Sequence, residues 1–245
     1  MLKSSVTRFF FAFLLFSAPS CNVWRASETA NNNSTTFSSS ETSSEIPFAA
    51  KEPDVYQTEI VTRIFTANGE KTERKIFTAR SGTRRVTVFN PGEKNEITRL
   101  ELNADSIFSI FRAGKIYAEN SNASTVSNDP TNDFLTTEWL NQKTAARFEN
   151  LGKENGLSKF RVKLGDAENA NSEVLIYVDD NLKIPVRQEF YSGAGEQQKV
   201  LTFSVELENF KPEAGEKLFE LPKDYRKVSP KEFQETLWKE RTKND

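Results

Sequence analysis

From residue 53 to about residue 210 the chain is written in short runs of Val, Ile, Phe, Thr and Tyr separated by turn residues. No other feature limits the possible folds as much. The breaks are explicit: Asn68-Gly69, Ser81-Gly82, Pro91-Gly92, Ala113-Gly114, Asn155-Gly156, Asp179-Asp180-Asn181 and Gly193-Ala194-Gly195. Runs of this composition between such breaks are strands of an antiparallel sheet. Strands are predicted near 55–66, 72–80, 84–90, 96–102, 106–112, 115–119, 144–151, 157–164, 173–179, 184–191 and 199–209, about eleven in all. Leu201, Phe203, Val205 and Leu207 alternate with Thr202, Ser204, Glu206 and Glu208, so one face meets a core or cavity and the other meets water. Val86 and Val88, Phe108 and Ile110, and Phe160, Val162 and Leu164 repeat that design. Val174-Leu175-Ile176-Tyr177-Val178 is apolar on both faces and needs cover on both, for which a helix is one solution.

Two helices are predicted. Asp133 opens the run Phe134 to Leu140, which sets Leu135 and Trp139 four apart on one helical face. Ser229-Pro230-Lys231-Glu232 is a capping-box pattern with Pro at the first helical position, followed by Phe233, Leu237 and Trp238 on an apolar side. The polar stretch 120–132 interrupts the strands and reads as a surface insertion, with a mobile gate as the alternative.

The first 20 residues carry Lys3 and Arg8, then the apolar run Phe9 to Phe16, then the small residues Ser17 to Ser20 before Cys21. That order is a secretory signal peptide, with an apolar run too short for a bilayer, which takes about 20 residues. The placement of Cys21 resembles the lipobox of bacterial lipoproteins, whose thiol is lipidated and becomes the first residue of the mature chain. Ala18 stands where Leu is usual. A plain cut after Ser20 and an uncleaved anchor are the alternatives. Removing Lys3 and Arg8 makes the mature chain more acidic than the full sequence, whose net charge is −2. In residues 27–45, 14 of 19 are Ser, Thr or Asn, too little apolar surface to offset the entropy of ordering. Residues 21–52 are therefore expected to be a disordered tether, spanning roughly 30 Å, and residues 53–245 one β-rich domain.

Composition excludes much chemistry. The sequence has no His and one Cys. That removes Ser-His-Asp and Cys-His catalysis, His-ligated metals, an intrachain disulfide and Cys clusters. No cofactor or metal is expected. A slightly acidic charge balance speaks against nucleic acid as a partner. Asp179 and Asp180 sit in a turn, where such side chains cap backbone amides. Glu206 and Glu208 lie on the solvent side of a strand, and neither carboxylate pair falls in a cleft. Arg84 and Arg85 point to opposite faces, with Arg80 nearby, and read as a solvated strand; a grip on a lipid phosphate or an acidic partner is the alternative. No catalytic residue is expected, and an enzyme is the least favoured reading.

The order of elements then becomes informative. It runs from the strand Val55-Tyr56-Gln57-Thr58 to the hairpin Phe111 to Glu119 and a mid-chain helix. Asp179 to Phe190, with its Leu182-Lys183-Ile184-Pro185-Val186-Arg187-Gln188-Glu189 strand, comes next, and Phe219-Glu220-Leu221-Pro222-Lys223-Asp224-Tyr225 closes the order. Together these resemble bacterial envelope proteins of the LolA/LolB-like lipoprotein-carrier superfamily over about residues 53–228. The resemblance implies a mainly β (α+β) fold, an open antiparallel half-barrel with a helical lid and a C-terminal helix. Its apolar face would hold a lipid or the acyl chain of a lipoprotein, lined here by Phe108, Ile110, Leu135, Trp139, Tyr177, Leu201, Phe203 and Val205. Soluble carriers of that family lack an anchor, so Cys21 would make this an anchored, receptor-like or bystander member, on the periplasmic face of the outer membrane, with the cell surface and the inner membrane as alternatives. Function is expected to be lipid binding, with a role in lipid or lipoprotein transport. The alternative is an interaction or sensing module of the same fold that binds another envelope protein and no lipid.

Overall fold

The structure, a computed structural model, describes residues 42–43, 45–49, 52–66, 68–120, 146–164, 172–193 and 199–242. The expected signal peptide, most of the tether including Cys21, and the expected helix with Leu135 and Trp139 lie outside the described residues.

One open sheet of thirteen strands dominates: β1 (Thr42–Ser43), β2 (Val55–Phe65), β3 (Lys71–Ser81), β4 (Arg84–Phe89), β5 (Ile97–Asn103), β6 (Ser106–Phe111), β7 (Ile116–Asn120), β8 (Ala146–Glu154), β9 (Leu157–Leu164), β10 (Ser172–Asp179), β11 (Ile184–Ser192), β12 (Val200–Lys211) and β13 (Arg226–Val228). Their spatial order is β1-β8-β9-β10-β11-β12-β2-β3-β4-β5-β6-β7-β13, and its two ends do not meet. Every pair is antiparallel except β13 on β7. The eleven predicted strands are β2 to β12. The two additional ones are the short edge strands β1 and β13, whose sequences are too brief to show a period. Among the described residues one α-helix, α1 (Pro230–Arg241), follows.

Turn chemistry sets the hairpins. Asn155 (φ 51°) and Gly156 (φ 83°) are the two central residues between the paired Glu154 and Leu157. A left-handed conformation at both positions is what a type I′ turn needs, and Asn-Gly supplies it at least cost. Asp179 caps the next turn, its Oδ1 accepting from the Asn181 and Leu182 amides at 2.8 and 3.0 Å. Asp180 does not cap. It accepts instead from Ser158 Oγ and pairs with Lys153 Nζ, both at 2.6 Å.

Cross-strand partners share a face of a sheet and successive residues alternate, so the register defines two faces. The face of Ile60 carries Phe148, Phe160, Val162, Val174 and Ile176 at one end, Val205 and Ile76 in the centre, and Phe111 and Ile116 at the other end. The strip Ile46 to Phe48 covers the first end. Phe48 is buried edge-on to Phe148 at 5.7 Å, and the Ala49 amide donates to Lys183 O at 2.7 Å. Residues 45–49 and 52, which the sequence assigns to the tether, are thus part of the packed domain, because Ile46 and Phe48 give that stretch the apolar surface its Ser-rich neighbours lack. Helix α1 closes the other end with Phe233 and Leu237 against Phe111, Ile116 and Val228. Its N-cap is the expected one, with the Glu232 amide donating to Ser229 Oγ at 3.2 Å. Trp238, expected on the apolar side, is 69% exposed. One residue beyond Leu237, it has rotated off the buried stripe.

The opposite face, that of Arg63, is divided. Across β3 to β6, Ala79, Val86, Leu100, Phe108 and Ile110 pack under the segment 214–225, with Phe219 buried among them. Across β8 to β12 and β2 it is charged. Arg63 donates to Glu73, Glu206 and Glu208 at 3.0, 2.7 and 2.9 Å. Leu175 and Tyr177 fall on this side. Among the described residues, no helix covers Tyr177. The Arg187 guanidinium lies 3.7 Å from its ring centroid, and Lys159 Nζ lies 5.2 Å away. Long charged side chains cover the apolar body with their stems and keep their heads wet.

Candidate functional site

The centre of the Ile60 face is the region whose chemistry calls for explanation. Tyr56, Ile60, Ile76 and Val205 are buried there, with Phe89, Phe203, Leu207 and Phe210 packed beside them. Tyr56 stacks on Phe210, ring centroids 5.9 Å apart. Among the described residues this patch is built entirely from strand side chains, and it lies between the Phe48 strip and α1. At one margin Ile64, paired with Phe203, is 54% exposed.

The register resolves this face into rows that run across the strands. Ile60, Ile76, Phe89, Ile97, Phe111 and Ile116 are successive partners and form an apolar row. One step along the strands, Thr58, Thr78, Thr87, Arg99 and Ser109 form a polar row. The next row is charged: Tyr56, Arg80, Arg85 and Glu101. Glu52, almost wholly buried, gathers it by accepting from the Tyr56 hydroxyl, from Arg85 and from Arg80 Nη1, the last at 3.1 Å. Burial, and next the Glu52 charge, push the Tyr56 phenol well above its ordinary value. Burial works against the charge on Arg85, but Glu52 outweighs it and holds the guanidinium above its ordinary value. The expectation of a solvated Arg80-Arg84-Arg85 strand is corrected here. Arg85 is 14% exposed, because Glu52 comes from the stretch that sequence reading left in the tether. Arg84 does face the other way, onto Glu216 at 2.7 and 2.9 Å.

The residues expected to line a groove are not all together. Phe203 and Val205 lie in the central patch of the Ile60 face. Phe108 and Ile110 belong to the opposite face, under Phe219, and Tyr177 is on that opposite face among charges. Leu201 leaves the face of Phe203 because the register shifts between Phe190 and Tyr191, so Leu201 pairs with Tyr191. A β-bulge of one residue turns every side chain beyond it to the other side. Leu135, Trp139 and the proposed lipidation residue Cys21 lie outside the described residues. Tyr56, Ile60, Ile76, Phe89 and Phe210 complete the patch and were not among the expected residues. The alternation in β2, β3 and β4 was the signal for the first four and does not say which face is which; Phe210 joins this face through the register shift between Glu208 and Lys211.

Among the described residues no group of three or more His, Cys, Asp or Glu side chains is placed to hold a metal ion, and no helix is long and apolar enough to cross a membrane.

No family model matches the sequence, and no curated protein matches it. Solved structures do. The chain is similar to MucB, at a TM-score of 0.43 and 10% identity over 72% of this chain and 60% of that one. It is similar to the LolA superfamily protein NE2245 from Nitrosomonas europaea, at 0.30 and 11% over 70% and 93%. A putative outer membrane lipoprotein-sorting protein domain from Vibrio parahaemolyticus follows, at 0.27 and 16% over 68% and 89%. The chain spans about 60% of the length of MucB. Likeness at this level transfers no residue role.

Proposed function

We propose that this is an envelope lipoprotein, anchored through Cys21, that binds a lipid or an acyl chain non-covalently against the Ile60 face of its sheet. The observation that carries the reading is the asymmetry of β12 and β2. One side of these strands is Ile60, Phe203, Val205 and Leu207, and the other is the Arg63, Glu206 and Glu208 ion-pair network. Within β12 and β2 one side is charged and the other uncharged, an apolar face suited to a hydrocarbon partner. The signal peptide, the Cys at its end and the Ser-rich stretch after it support delivery to a membrane and a stand-off from it.

The test is mass spectrometry of lipid co-purified with the mature protein, wild type against Phe203→Asp, with Lys75→Glu on the charged side as control. Lipid in the wild type and control and its loss in Phe203→Asp are expected. A folded, lipid-free wild type that also fails to take up a fluorescent fatty acid would overturn the reading. For the anchor, Cys21→Ala should abolish acyl labelling and membrane retention.

A further inference from the structure

The polar row contains hydrogen-bonding atoms that no described residue satisfies. Thr87 is fully buried, yet its Oγ1 has no partner among the described residues. Its direct cross-strand neighbour Arg99 buries Nε and Nη1 without a hydrogen bond. Glu101 Oε1 does lie 2.7 Å from Arg99 Nε as an ion pair, but the N–H is not aligned on it, and Nη1 has no acceptor among the described residues. Buried polar groups in folded proteins nearly always have partners, and a guanidinium can only donate. What is missing is an acceptor for Arg99 Nη1 and Thr87 Oγ1, and a guanidinium N–H bonds an anionic acceptor more strongly than a neutral one. The neighbours do not compete for it. Thr78 Oγ1 donates to Val86 O at 3.3 Å, and Ser109 Oγ accepts from Asn120 Nδ2 at 2.9 Å. Glu52 is taken by Tyr56, Arg80 and Arg85, and Arg80 also meets the exposed Asp54 at 3.4 Å. One step along the strands from Thr87 and Arg99 lie Phe89 and Ile97 of the apolar row.

We infer that Thr87 and Arg99 form the headgroup site of the bound lipid and hold the anionic oxygens, carboxylate or phosphate, at the end of an acyl chain that lies along the neighbouring apolar row. The inference rests on the lipid-binding reading above and adds to it the class of ligand and its orientation. The Arg99 guanidinium donates to the anion and Thr87 Oγ1 donates beside it, which satisfies the buried groups on both sides of one ligand. The chain keeps to the Ile60 and Ile76 side because the row on the other side is charged.

The experiment titrates the mature protein with cis-parinaric acid, with its methyl ester, with dihexanoyl phosphatidylglycerol as competitor and with inorganic phosphate alone, for wild type, Thr87→Val and Arg99→Met. The acid is expected to bind wild type about tenfold or more tightly than the ester, the margin of a charge-assisted hydrogen bond to a buried group. Arg99→Met should remove that preference while leaving ester binding unchanged, and Thr87→Val should reduce it several-fold. Competition by the phosphatidylglycerol assigns a phosphate headgroup and its failure a carboxylate; either supports an anionic lipid. Thr87→Val should melt no lower than wild type without ligand, because it removes an unsatisfied buried group, whereas Arg99→Met also removes the ion pair with Glu101 and is judged by its acid preference. Equal binding of acid and ester would overturn the headgroup site and leave the lipid reading standing, and binding of neither would overturn both. Tight binding of inorganic phosphate alone, or a large loss of stability in Arg99→Met with acid preference retained, would also overturn it.

Discussion

Phe48→Ala is the sharpest test of how the domain is closed. Phe48 is buried against Phe148 and Phe160, at centroid separations of 5.7 and 6.2 Å, and against the β9 and β10 residues beneath them. Truncating a buried Phe costs about 3–5 kcal/mol, of which each edge-on ring pair supplies about 0.5–1.5 kcal/mol. The strip is also held by Ile46, the two-residue pairing of β1 with β8 and a hydrogen bond from Ala49 to Lys183, while Glu52 beyond it is fixed separately by Tyr56, Arg80 and Arg85. A hydrogen bond contributes only about 0.5–1.5 kcal/mol net, so the strip should undock before the sheet unfolds, and undocking limits the loss to about 3 kcal/mol. In a domain of this size that lowers Tm by roughly 6–12 °C. Urea unfolding should show the lower stability with a slightly smaller m, since the undocked native state already exposes Val162, Val174 and Ile176. Exchange of the Ala49 amide should accelerate to near the free-chain rate. A loss under about 1 kcal/mol with the Ala49 amide still protected would refute the reasoning.

Other perturbations separate the remaining elements. Phe233→Ala should cost about 3–4 kcal/mol by opening the contact of α1 with β7, whereas Trp238→Ala should stay within about 0.5 kcal/mol; urea midpoints decide, and equal losses would place Trp238 in the core. Gly114→Ala should cost about 1–3 kcal/mol, because its Cβ would stand 2.8 Å from Phe111 Cδ1 and push that ring off its packing; an unchanged midpoint would show that the ring gives way freely. Phe219→Ala should cost about 3–4 kcal/mol by emptying the space under the Arg84 guanidinium, which sits 4.8 Å from its centroid. Stability should also fall in acid. Hydrogen bonds from Lys71, Lys159 and Arg84 hold Glu73, Glu154 and Glu216 below the ordinary 4.5, and Lys153 holds Asp180 below 3.8. A depressed folded value adds stability that is complete above the unfolded value and disappears as pH drops through the folded one. Tm should therefore hold level from pH 8 to about 5 and decline below about 4.5; with no histidine in the sequence, a step between pH 6 and 7 would contradict this.

The strands were legible because each carries its own period of two and ends at a residue with its own turn chemistry, as at Asn155-Gly156. What a strand's period cannot say is which face it shares with strands far away in sequence. Phe108 and Phe203 both looked inward, but they lie on opposite sides of one sheet, a difference that exists only in the register passed through six strands. Leu201 shows the same limit within one strand, since a bulge leaves no mark on the alternation of apolar and polar residues. Thr87 and Arg99 were invisible for a related reason. Thr and Arg in a strand read as its wet side, and β4 is buried on both sides because 214–225 covers Val86 while the Ile60 face takes Thr87. Glu52 and Phe48 were obscured by a Ser-rich neighbourhood whose composition outweighed two informative residues. The Ser229 half of the α1 capping box was legible, being a purely local arrangement, whereas the Glu232 carboxylate pairs with Arg226 at 2.8 Å, a partner from β13 that the pattern does not name.

The central claim is that hydrocarbon lies on the Ile60 face, and photolabelling tests it most directly. A fatty acid with a diazirine midway along its chain, irradiated with the mature protein and mapped by peptide sequencing, should mark β2, β3, β4 and β12 at Ile60, Ile76, Phe89 and Phe203. Label confined to the Arg63 face, or spread without preference over both, would contradict the account.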